Sequence, residues 1–204
     1  LVVVVLRAMM DAAADPDLAP SAKPLAASSF RHLALLWMSG ADAPCHRRPR
    51  RDERFLRPSV FMRALAEGLG TDHAARHAAA TDVLIAVLDL LPHAAAAEAD
   101  EALGVRPGAR AAQLLDALAD YLARCCLSQA WRDRVGGCRA LALVVSSRAV
   151  PRWWLTDRQV TIADALLHVS ADAPQEVGVP VLREVGGALE ELLVRVYGEE
   201  AAVA

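Results

Sequence analysis

A chain of 204 residues with 55% hydrophobic but only 4% aromatic residues draws its apolar content from Ala, Leu and Val, a mixture suited to closely packed helices because Ala loses no side-chain entropy and lets helix axes approach. A net charge of -3 excludes a whole-chain nucleic-acid footprint, and no apolar run reaches the ~18 residues of a membrane span. The length allows one or two compact domains, or about five helical hairpins of ~40 residues.

In chain order, residues 1–14 and 28–38 predict two short helices, joined by a connector that holds Pro16, Pro20 and Pro24. The apolar opening Leu1–Leu6 has no basic residues before it and no small-residue cleavage site, so it does not fit a signal peptide. The start on Leu1 rather than Met leads to the expectation of a fragment of a larger protein. Ser39–Pro44 predicts a stop and turn. The run His46-Arg47-Arg48-Pro49-Arg50-Arg51-Asp52-Glu53-Arg54 fits a solvated loop; an import signal or a nucleic-acid contact is the alternative.

Pro58 suits the first turn of a helix to Leu69, with Val60, Phe61, Ala64, Leu65 and Leu69 at helical spacing and Gly70 closing it. Asp72 is placed to cap a helix to Leu91 that carries Val83, Leu84, Val87 and Leu88 inward; Pro92 ends it. Residues 94–103 predict a short helix or a loop. Arg106-Pro107-Gly108 opens a helix to Cys126, buried through Leu114, Leu115, Leu118, Tyr121 and Leu122. Ser128 is the expected cap of the next helix, which turns Trp131, Val135, Cys138, Leu141, Ala142 and Val145 inward. Gly136-Gly137 in its middle costs an isolated helix roughly 1 kcal/mol each, which points to a close helix approach or a kink.

Pro151 breaks that helix, and Trp153-Trp154-Leu155 bridges to one that Thr156-x-x-Gln159 would open as a capping box and that runs to Val169. Asp172-Ala173-Pro174 is the turn. A last helix, broken at Gly178-Val179-Pro180, runs to Tyr197, with Gly198 as its cap. No strand-like alternation is present. The fold class expected is all-α, with HEAT-like helical hairpins stacked as an α-solenoid segment and a closed helical bundle as the alternative. Residues 1–54 lead into the array, 55–126 form hairpins, and 127–204 form further hairpins, Trp131–Val196 reading as two consecutive ones.

Chemical motifs are sparse. Phosphate-binding glycine loops, a Gly-x-Ser-x-Gly elbow, His-Glu-x-x-His and kinase catalytic-loop motifs are all missing from the sequence. Cys45, Cys125, Cys126 and Cys138 show neither Cys-x-x-Cys nor zinc spacing, which fits buried thiols plus one in a loop. His73 and His77 stand four apart, as two metal ligands can; the plainer reading is a polar helix face, since only Asp72 and Asp82 lie near them in sequence. His168 and Asp172, beside Cys138 or Trp154, suggest a nucleophile site only if the fold gathers them. Trp153-Trp154 fits a core anchor between repeats, with ligand stacking as the alternative. Glu190-Glu191 and Glu199-Glu200 fit a solvated face. No catalytic, cofactor-binding or metal-ligating residue is therefore expected.

One ordered set of features goes further. Trp131, Arg132, Arg134, Gly136 and Gly137 open it, followed by Trp154-Leu155, then Ala165-Leu166-Leu167, then Asp172 and Glu176, and finally Leu189, Glu190, Leu192 and Leu193. In this order the chain resembles the TRRAP family, very large pseudokinases built mostly of HEAT repeats. Phe55–Phe61 looks like a further repeat start in the same array, whereas 46–54 and 94–112 have no counterpart, and neither have the family's FAT and kinase-like regions. The resemblance implies a non-catalytic scaffold of histone acetyltransferase complexes in the nucleus. Its partners would be transcription activators and acetyltransferase subunits, with no cofactor, no membrane and no small-molecule substrate. A HEAT or armadillo adaptor of another complex is the alternative, followed by a compact helical enzyme or ligand-binding domain with a pocket around His73, His77 or His168.

Overall fold

The computed structural model describes residues 2–40, 58–92, 109–171, 173–174 and 178–201. The basic run 46–54, the stretch 94–103, Cys45, Asp172 and Glu176 lie outside them. The described residues form helices joined by turns: α1 (Val2–Ala14), α2 (Ala19–Gly40), α3 (Pro58–Leu69), α4 (Ala74–Leu88), α5 (Ala109–Cys126), α6 (Trp131–Ser146), α7 (Arg152–Ala171) and α8 (Gly178–Ala201). Successive helices pair as hairpins, and each hairpin lies on the next: α1 meets α3 and α4, α3 meets α5 and α6, and α6 meets α7 and α8. The architecture is an all-α solenoid.

Proline placement explains some boundaries. Pro58 opens α3, and Pro151 precedes α7. The expected connector at 15–24 is shorter than its prolines suggest. Only the turn around Asp15 is non-helical, with the Asp17 N–H donating to Asp15 Oδ1 at 2.9 Å. Pro20 falls in the first turn of α2, where an N–H would have no helical partner, and α2 runs through Pro24 because Ala26 and Phe30 are buried beyond it. Phe30 meets Phe61 of α3 in a tilted ring contact with centroids 5.3 Å apart.

Three expected caps fall elsewhere. His73, not Asp72, caps α4: its Nδ1 accepts from the Arg76 N–H at 3.3 Å. Ala130 occupies the cap of α6 without a side-chain bond, while the Ser128 hydroxyl donates to Asp133 Oδ2 at 3.1 Å and accepts from the Ala130 N–H at 3.2 Å. Thr156 lies inside α7, its hydroxyl donating to the Arg152 carbonyl at 3.0 Å, so Trp153-Trp154-Leu155 is the first turn of the helix rather than a bridge. α4 stops at Leu88 and a turn takes Asp89 and Leu90. Gly178-Val179-Pro180 starts α8 instead of breaking it, and α8 passes Gly198 to end at Ala201. Trp131–Val196 therefore holds the second half of one hairpin, α5/α6, and then the hairpin α7/α8.

The core is continuous from Leu6 in α1 to Val196 in α8 and is filled by Leu, Val and Ala with a few large side chains, among them Met10, Phe30, Met62 and Trp154. Most of the expected inward positions of α5 and α6 are buried, namely Leu114, Leu115, Leu118, Leu122, Val135, Cys138, Leu141 and Val145, whereas Tyr121, Trp131 and Ala142 are only half-buried.

Candidate interaction surface

The site-forming geometry begins at α6, the helix that contacts α3, α4, α5, α7 and α8. Its two glycines face different neighbours. A Cβ on Gly136 would stand 2.0 Å from the Ala66 carbonyl oxygen in α3, and a Cβ on Gly137 would stand 2.8 Å from the Leu122 carbonyl oxygen in α5. Gly70, just past α3, returns the contact, since its Cβ would meet the Arg132 carbonyl oxygen at 2.2 Å. The glycine pair thus marks a close approach on two sides.

Arginines tie the ends of the helices to their neighbours. Arg139 of α6 donates through Nη1 to the Leu69 carbonyl at the end of α3, at 3.0 Å, and through Nε to Glu184 Oε2 of α8, at 2.9 Å. Arg195 of α8 donates to the carbonyls of Val145 at 2.5 Å, Ser147 at 2.7 Å and Val150 at 2.6 Å, where α6 turns into α7. Arg31 reaches the Ala86 carbonyl near the end of α4 at 3.2 Å. A cation on the last carbonyls satisfies acceptors that have no helical donor and suits the negative end of the helix dipole.

The tryptophan pair divides. Trp154 is buried and donates its indole N–H to Asp116 Oδ1 of α5 at 2.8 Å; Arg158 pairs with the same oxygen at 2.8 Å. Trp153 is 55% exposed, so only one of the two anchors neighbouring repeats.

Among the described residues, the remaining candidates are not gathered into a chemical centre. His73 is spent on its cap. His77 lies on α4 facing α6 and α8, and burial, with Arg139 nearby, holds its imidazole below the ordinary value of 6.5. Among the described residues, no group of three or more His, Cys, Asp or Glu stands where it could hold a metal ion. Cys138 is fully buried, and burial pushes its thiol up to about 12; Cys125 is pushed up to about 11, and Cys126 is raised further. Cys126 and Cys138 pack in the core, and Cys125 is half-buried beside it. His168 is half-buried on α7.

Two of the concavities among the described residues border α6. One, of about 280 Å³, lies between α1, α3, α4 and α6 and is crossed by ion pairs, Arg7 with Glu67 and Arg76 with Asp11. The other, of about 430 Å³, is a groove between α4, α6 and α8; His77, one of the three histidines around which the alternative reading expected a pocket, lines it, and His73 and His168 do not. Its floor is made of small and aliphatic residues, Ala142, Leu143, Gly187 and Ala188. Glu191, read from sequence as part of a solvated face, lines it half-buried, while Glu190 is exposed. The i, i+3, i+4 spacing of Arg139, Ala142 and Leu143, repeated by Glu184, Gly187 and Ala188, was the available signal. Only the pairing of α6 with α8 gives it meaning.

Stacked hairpins and a continuous aliphatic core define a helical repeat array of the HEAT kind. The family model of the Tra1 HEAT repeat ring region matches residues 1–202, and the chain belongs to that family. It is also similar to the transformation/transcription domain-associated protein of Danio rerio, 24% identical over 194 residues. That match takes in 88% of this chain and 5% of the relative, so the chain spans a small part of that protein's length. No solved structure matches.

Proposed function

We propose that this chain is a non-catalytic segment of a TRRAP-like scaffold, a subunit of histone acetyltransferase complexes in the nucleus that receives transcription activators. The match to the Tra1 HEAT repeat ring region over nearly the whole chain carries the reading. The transcription-associated name of the Danio rerio relative supports the nuclear role. The construction is consistent with holding rather than reacting: buried thiols, histidines spent on a cap or set against a groove, and helix faces presented by neighbouring hairpins. In the described residues no helix is long and apolar enough to cross a membrane. Within the scaffold, the pairs α1/α2, α3/α4, α5/α6 and α7/α8 supply consecutive hairpins.

The test is purification of the native protein through a tag at its own locus, with mass spectrometry of what accompanies it and an assay for histone acetylation. Acetyltransferase subunits and activity are expected in the eluate. Coat, import or other complexes in their place would leave the helical array standing and sink the proposed role.

A further inference from the structure

We draw no further inference here: the strongest candidate, the exposed apolar surface of the α7/α8 hairpin with Val160, Leu167, Leu193 and Val194 open to solvent, carries nothing, because nothing in the structure shows what covers it and a further hairpin laid on it would only restate the helical array already described.

Discussion

Gly136 and Gly186 lie in the interiors of exposed-to-core helices of similar kind, yet they have opposite expected responses to a methyl group. At Gly136 the added Cβ would press on the Ala66 backbone, which cannot rotate away; at Gly186 it would meet nothing within 4 Å. Gly136→Ala should therefore destabilise by about 1–3 kcal/mol, the usual cost of overpacking, despite its better helix propensity. Gly186→Ala should stabilise by up to about 1 kcal/mol, because only the propensity term is left. Urea unfolding of the two variants checks the pair, and a stabilised Gly136→Ala would mean that α3 and α6 are not in backbone contact. The sequence flagged Gly136-Gly137 as a close approach or a kink, since two costly residues in a helix need a reason, and the close approach is what the structure has. It did not flag Gly70, which reads locally as an ordinary helix stop; its second role depends on Arg132, far along the chain. Trp153 and Trp154 were likewise indistinguishable in sequence and are separated only by which side of α7 faces α5.

The helix ends show where local signals lose to tertiary ones. Asp72, Ser128 and Thr156 all have capping chemistry in sequence, yet the caps fall at His73, at Ala130 and before Arg152. The acceptors at the other ends are met by arginines from different hairpins, which no spacing rule can locate. Arg195→Met should leave the Val145, Ser147 and Val150 carbonyls without their charged donor and cost about 1.5–3 kcal/mol. Hydrogen exchange should quicken in the α6–α7 turn ahead of the rest of α6; unchanged exchange there would show that the clamp contributes nothing. His77 gives the array an acid-side dependence. Burial, followed by Arg139, lowers its folded value below 6.5, and Glu184 opposes the shift. The folded state therefore prefers the neutral ring, so this contribution to stability is present above pH 6.5 and is lost as pH falls through the folded value. His77→Gln should flatten that part of the stability profile, and an unaltered acid limb would remove His77 from the account.

For the whole molecule, the all-α class and the positions of most helices were legible because Pro58 and Pro151 punctuate apolar stripes of helical period, whereas Pro92, expected to end α4, follows the turn that does so. The pairing of the helices was not. Trp131 looked like the start of a hairpin because a turn precedes it, whereas α6 closes the hairpin that α5 begins. The length of α2 was hidden for a related reason: its prolines argue for a loop, and the burial of Ala26 and Phe30 outweighs them. The groove as a whole was illegible because it belongs to helices α6 and α8, brought parallel by the stacking of hairpins, as the contacts of Arg139 with Glu184 and of Arg195 with Val145 show. In an array of this kind each hairpin is stabilised mainly by its neighbours, so the continuous core from Leu6 to Val196 is the feature on which both the fold and the scaffold role depend. The most direct test is an electron cryomicroscopy structure of the native protein, purified through a tag at its own locus. The account predicts that this segment lies in a helical array, with α6 held between α3, α5 and α8 and with α6 and α8 parallel. A closed bundle in which α8 folds back antiparallel to α6 would contradict it.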